Sequence, residues 1–337
     1  MLEVSRSLKR TRSFPWPLRP EGDVATDGLP ASPGNPKHDE EFWLEDGNIV
    51  LFSGDTAFRI YRGLLAAQSS VFADTFTAAS SKADETYQGC PVIHLSESPE
   101  DLRHFLRVLL PKSHRIFVSD GSQTDVSFEQ IFAVVRLSHK YQVDDIFQQA
   151  MSLLKKYYTT RPDCLEKTLP FTTTHAIGAA NLAVLTETPV ILPSALFHCA
   201  SLGPSVLDGW TRDDGSVEHL SHTDVRRALG ARDRLIKESF YGLKEIFGGA
   251  PSVHCSNAAT CRNQLREILL RAMDLGDLAF EPAGIFEPWN LSEIKSLCTA
   301  CSKEVRERQD VVVSKLWRNL PGFFGLQVQG WLAAVQG

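Results

Sequence analysis

The sequence predicts an α+β domain followed by an all-helical region. Apolar and polar residues alternate with period two near residue 50, which indicates strands, and apolar residues recur three or four apart over 64–158, which indicates helices. After residue 170 only the helical spacing recurs. We therefore expect a tail at 1–40, the α+β domain at 41–160 and the helical region at 161–337.

The tail is predicted to be disordered. Residues 1–40 are rich in proline and glycine, lack periodic hydrophobic residues and carry a basic cluster from Arg6 to Arg12. Such a composition cannot bury enough apolar surface to offset the entropy of ordering the chain. The basic cluster is typical of a solvated terminus, and the alternative interpretations are nuclear import and a basophilic kinase site at Ser13.

The α+β domain is predicted to open with a hairpin and two short helices. Residues 49–61 alternate on either side of a Gly-Asp pair, which favours a tight turn between two strands. Helical spacing follows over 64–76, where Ser69 or Ser70 can cap the second helix.

Two further helix starts are marked by serines. Ser98 precedes a proline and two acidic residues, and Ser221 precedes Asp224 by three positions. A serine hydroxyl at these positions can accept a hydrogen bond from a free amide of the first turn. The other predicted elements are strands at 92–95 and 115–118 and helices at 98–110, 128–141, 144–158, 175–187 and 190–202.

Three blocks of the α+β region occur in a characteristic order: NIVLFSGDTAFRIYRGLLAAQSSVFADTF, DLRHFLRVLL and VVRLSHKYQVDDIFQQAMSLLKKYY. Together they resemble a BTB/POZ domain, particularly in the expanded family of fungal BTB proteins. The resemblance implies a small sheet flanked by helices that forms homodimers and recruits other proteins without catalysis. It leaves open whether the chain is a scaffold, a nuclear transcriptional regulator or a substrate adaptor of a cullin-type ubiquitin ligase.

The resemblance also implies a dimer contact. Many dimeric BTB domains have an aspartate opening the first strand and an arginine after the second, and here Asn48 and Arg62 occupy those positions. An ion pair would thus be replaced by a hydrogen bond between asparagine and arginine. Four apolar side chains are expected to complete this dimer or partner surface, because they exceed what so small a sheet can cover: Leu64, Leu65, Val71 and Phe72.

Four of the seven cysteines form two pairs, Cys255 with Cys261 and Cys298 with Cys301. Thiolates are soft ligands, and four of them complete the tetrahedron of a structural zinc ion. The alternative is that each pair packs as small apolar residues beside a helix. His254 is a further candidate ligand. The remaining cysteines, Cys90, Cys164 and Cys199, are expected to be small buried residues.

Composition excludes some classes of function. The chain has 35 basic and 41 acidic residues, so its net charge of −6 gives no overall reason to bind nucleic acid. It has no apolar run long enough for a signal peptide or a membrane span. No motif of a catalytic site or phosphate loop is present. We expect an intracellular, non-enzymatic protein of the cytoplasm or nucleus.

Overall fold

The computed structural model describes residues 36–80, 85–110, 126–158, 172–274, 282 and 296–331. The tail is outside these ranges except for residues 36–40, and the predicted strand at 115–118 is also outside them.

A five-stranded sheet of order β1-β3-β2-β5-β4 forms the first part of the fold. Its strands are β1 (Lys37–Trp43), β2 (Ile49–Ser53), β3 (Thr56–Ile60), β4 (Thr86–Tyr87) and β5 (Cys90–Leu95). β2 and β3 are antiparallel around Gly54, whose φ of 56° suits a tight turn. The predicted hairpin is therefore confirmed. β1 runs parallel to β3, and β5 runs parallel to β2.

Five helices accompany the sheet. They are α1 (Arg62–Gln68), α2 (Ser70–Ser80), α3 (Pro99–Leu109), α4 (Phe128–Lys140) and α5 (Asp144–Tyr157). The Oγ of Ser69 accepts a hydrogen bond from the amide of Phe72 at 3.0 Å, and the Oγ of Ser98 accepts one from the amide of Asp101 at 3.2 Å. Both predicted caps are confirmed.

Strand β1 begins inside the region that the sequence assigned to the tail. Its Asp39 is only 2% exposed and accepts hydrogen bonds from the amides of Glu41 and Phe42, at 3.0 and 2.8 Å. The Nε of Arg103 on α3 also donates to this carboxylate at 2.9 Å. The tail boundary at residue 40 was wrong because the strand is bulged, so its buried residues do not alternate.

The second part is mostly helical. Its helices are α6 (His175–Leu185), α7 (Leu192–Ser201), α8 (His222–Phe247), α9 (Ala258–Asp274), α10 (Thr299–Arg318) and α11 (Leu320–Phe323), with a 3₁₀ turn at Gly203–Leu207. The Oγ of Ser221 caps α8 through the amide of Asp224, as predicted. A two-stranded hairpin, β6 (Trp210–Thr211) with β7 (Val217–Glu218), corrects the expectation of an all-helical region.

One continuous apolar core joins the two parts. Its centre is α4, which is buried along almost all of its 13 residues and packs against α3, α5 and α6. At Gly178, helix α6 lies close to the Trp210 side chain: a Cβ added at this glycine would lie 2.5 Å from the Trp210 ring. A helix that is buried on all sides belongs to the interior of a fold, so α4 is the shared core of both parts.

The core also contains two large buried tryptophans of the second part. Trp317 and Trp331 are at most 2% exposed, and the Nε1 of Trp331 donates to the carbonyl of Trp317 at 2.9 Å. Among the described helices, none combines the length and the hydropathy that a membrane span requires.

Candidate functional site

The four paired cysteines meet at a single point between α9 and α10. Cys255 precedes α9 and Cys261 lies in its first turn, while Cys298 is the N-cap of α10 and Cys301 lies in that helix's first turn. All four sulfur atoms lie within 4.8 Å of one another. His254, the further candidate ligand, is not part of this group.

The spacing of the sulfur atoms suits a metal ion. The Sγ atoms of Cys255 and Cys298 are 3.7 Å apart. Zinc–sulfur bonds of about 2.3 Å place tetrahedral ligands about 3.8 Å from each other. Four thiolates fill the tetrahedron and leave no position for water, so such a site would be structural.

Backbone amides point at the sulfur atoms. The amide of Ser252 donates to the Sγ of Cys301 at 3.4 Å, and the amide of Cys298 donates to the Sγ of Cys261 at 3.5 Å. Both helices also direct their N-terminal ends toward the cluster. Amide donors and the positive end of a helix dipole stabilise negative sulfur, so the main chain is arranged for thiolates.

The cysteines differ in acidity when no cation is bound. Hydrogen bonds from the amides of Cys301 and Ser256 lower the pKa of the Cys298 thiol to about 6. Burial raises the pKa of the Cys301 thiol to about 12. A divalent cation would supply the positive charge that four adjacent thiolates need, and the donor set therefore fits zinc.

A hydrogen bond joins Asn48 to the main chain of Arg62, not to its guanidinium. The Oδ1 of Asn48 accepts from the backbone amide of Arg62 at 2.8 Å. Arg62 is the first residue of α1, and the preceding residue, Tyr61, provides no side-chain cap. Asn48 therefore caps α1, although it is distant from the helix in sequence. The Arg62 guanidinium lies 5.9 Å from the Phe76 ring.

Two of the four apolar residues assigned to the dimer surface are core residues. Leu65 and Phe72 are fully buried, while Leu64 and Val71 are partly buried against the same core. The exposed large apolar side chains of the described residues all lie beyond residue 158. The assignment of Leu65 and Phe72 was wrong because the sequence shows that a side chain is apolar, not which neighbour covers it.

A buried ion cluster lies between α3, α4 and the β6–β7 hairpin. Arg212 of the hairpin has a side chain only 4% exposed. Its Nη1 lies 3.1 Å from the Oδ2 of Asp101, its Nε lies 3.0 Å from the Oε2 of Glu129, and its guanidinium is 4.8 Å from the Phe132 ring. Arg136 donates to the Oδ2 of Asp101 at 2.7 Å. Each buried carboxylate therefore has a cationic partner.

The first part of the chain matches a known domain family. Residues 44–158 match the model of the BTB/POZ domain, over the range that holds β2 to β5 and α1 to α5. Residues 44–158 are a BTB/POZ domain. No curated protein matches the chain. A BTB/POZ domain is a protein–protein interaction module, so this part of the chain has a general interaction role.

The Arg212 cluster joins the BTB/POZ domain to the region that follows it. Asp101 and Glu129 belong to the matched range, and Arg212 belongs to the later hairpin. The α3–α4 side of the BTB/POZ domain is consequently covered by the chain itself.

The outer face of the BTB/POZ sheet is covered differently. A small second core of Val50, Phe52, Ala57 and Cys90 lies there. Partly buried side chains, including Trp43 and Tyr87 with ring centroids 6.2 Å apart, pack over it. This face of the sheet is therefore covered by side chains of the BTB/POZ domain itself.

Sequence reasoning missed Arg212, although one local signal was available. Asp214 and Gly215 follow it, and an Asp-Gly pair between short runs of strand-forming residues indicates a hairpin. Gly215 has the φ of 80° that such a turn uses. The lone cysteines were better predicted: Cys90 and Cys199 are buried, and Cys164 lies outside the described residues.

Proposed function

We propose that the protein is a non-enzymatic interaction scaffold or adaptor that self-associates through its BTB/POZ domain. The observation that carries this proposal is the burial of helix α4 between the interaction module and the helical region. Arg212 of the helical region binds Asp101 and Glu129 of the module, so the two parts are held together as one body. A rigid joint fixes the direction in which the helical region presents a bound protein. The helical region is thus the part we assign to partner presentation.

Self-association is assigned to the side of the BTB/POZ domain that the chain leaves uncovered. This side includes α1, where Arg62 and Leu64 flank the exposed Gly63. A symmetric dimer would bring the same patch of each copy together, so a new positive charge there would face its own copy.

Gly63 allows a clean test, because nothing lies within 4 Å of a Cβ placed on it. Gly63→Lys in the full chain should reduce the dimer fraction in light scattering at micromolar concentration while leaving the melting temperature unchanged or slightly raised. Gly230→Lys on α8 is the matched control, since Gly230 is also exposed with open space around it. A monomeric unmodified chain at tens of micromolar would refute self-association.

The identity of the bound proteins would distinguish a scaffold or a cullin adaptor from a transcriptional regulator. Affinity capture with the full chain should recover cullin subunits for a ligase adaptor and chromatin components for a regulator. Capture with an Arg212 variant would show whether the fixed joint matters for partner binding.

We also propose that Cys255, Cys261, Cys298 and Cys301 hold one structural zinc ion that fastens α9 to α10. The support is their convergence within 4.8 Å and the amides that point at them. Metal analysis of untagged protein, purified without chelator under reducing conditions, should give close to one zinc per chain. A zinc content below about a tenth of an equivalent per folded chain would indicate that the cysteines pack as small apolar residues and do not bind metal.

A further inference from the structure

The four cysteines of the cluster are not equivalent. Cys261 and Cys301 are 2% and 1% exposed, whereas Cys255 and Cys298 are both partly exposed. The two accessible residues are also close neighbours, with their Sγ atoms 3.7 Å apart. One comes from the loop before α9 and the other from the N-cap of α10, so they belong to different elements.

From this asymmetry we propose that Cys255 and Cys298 form an oxidation-sensitive pair, whose conversion to a disulfide by a hydroperoxide releases the metal from Cys261 and Cys301. The inference rests on the zinc proposal above. Exposure determines which cysteines a peroxide reaches first, and only Cys255 and Cys298 of the four are partly exposed.

The chemistry balances with hydrogen peroxide as the oxidant. The sulfur of one cysteine attacks the peroxide, its O–O bond breaks, and a sulfenic acid forms on that sulfur. The second sulfur displaces the hydroxyl group and forms the disulfide bond. Two thiolates lose two electrons in total, and one hydrogen peroxide takes these electrons with two protons to become two water molecules. A dithiol reductant reverses the step.

The disulfide would leave only Cys261 and Cys301 as thiolate ligands, which are too few to retain a zinc ion in a structural site. The two helices would remain linked at Cys255 and Cys298, but the buried sulfur atoms would lose their common partner. Leu265 and Ile268, which α9 buries beside α8, would become more accessible. Oxidation would thus change the surface of the helical region while leaving the BTB/POZ domain in place.

The test uses the zinc-loaded full chain. Hydrogen peroxide should release one zinc per chain, detected by a metallochromic dye, and peptide mapping should find Cys255 joined to Cys298. Dithiothreitol with added zinc should restore the starting state. The Cys255→His variant should keep its zinc, because three cysteines and one histidine are a common structural set. It should lose that zinc about tenfold more slowly in peroxide, since the accessible pair is gone.

Cys90→Ser is the matched control, because Cys90 is buried far from the cluster in sequence and its loss should not change zinc release. Zinc that stays bound in peroxide, or a disulfide between other cysteines, would overturn this inference and leave the zinc proposal intact. A reduced chain without zinc would instead overturn the zinc proposal and this inference with it.

Discussion

Arg212 reaches Asp101 across 111 positions of sequence, with its Nη1 3.1 Å from the Oδ2 of the aspartate. Both side chains are almost completely removed from solvent. A buried ion pair adds little net stability over an apolar pair, but removal of one partner leaves a charge without compensation. The contact therefore fixes how the BTB/POZ domain and the helical region fit together.

Replacing Arg212 with alanine should lower the free energy of unfolding by about 3–5 kcal/mol, because Asp101 and Glu129 would both lose a buried partner. Urea denaturation measures the change. Arg271→Ala is the control, since its pair with Glu267 is largely exposed, and it should cost no more than about 0.5 kcal/mol. Similar losses in the two variants would contradict the role given to Arg212.

Two N-terminal truncations should show that the tail and strand β1 contribute differently to the melting temperature. A chain lacking residues 1–35 should melt within about 1 °C of the full chain, because the removed composition has little to bury. A chain lacking residues 1–43 loses Phe42 from the core and Asp39 from Arg103, and should melt roughly 5–10 °C lower. Equal melting temperatures for the two truncated chains would show that β1 contributes no stability.

Asn48→Ala should destabilise the protein by about 1 kcal/mol, because the first amide of α1 loses its side-chain acceptor. Asn48→Asp should be neutral or slightly stabilising, since a carboxylate at the same position can accept that bond and favours the positive end of the helix. Chemical denaturation of the three chains at pH 7 provides the comparison. An alanine variant as stable as the aspartate variant would exclude the capping role.

The free energy of unfolding should decrease as the pH falls through a range set by two partly buried histidines. Burial lowers the pKa of His198 to about 4 and that of His175 to about 4. The folded state thus prefers the neutral ring, so the stabilisation is complete above about pH 6.5 and is lost as the pH falls from there toward 4.

The expected loss from His198 is about 1–2 kcal/mol at pH 5. His198→Gln should flatten the pH dependence of the urea midpoint between pH 7 and 5, whatever it does to stability at pH 7. An unchanged slope in the His198 variant would assign the dependence to other groups.

The sequence alone was sufficient to predict the elements whose structure depends on residues nearby in the chain. The hairpin around Gly54 and the Ser98 cap follow from turn geometry and from amides only a few residues away. The ion pairs of Asp39 and Arg212 could not be predicted, because their partners lie 64 and 111 positions distant in the sequence. The cysteine spacings indicated two pairs, but only the packing of α9 and α10 against α8 explains why the pairs converge.

The burial of α4 has a practical consequence for anyone who isolates the BTB/POZ domain. A fragment ending at residue 158 would lack Trp210 and His175, whose rings lie 5.2 and 4.6 Å from that of Phe128. It would expose an apolar helix face beside a Glu129 that has lost Arg212. Such a fragment should aggregate or pair through this artificial surface. The oligomeric state of such a fragment would then reflect the truncation. Native self-association can be measured only on the full chain.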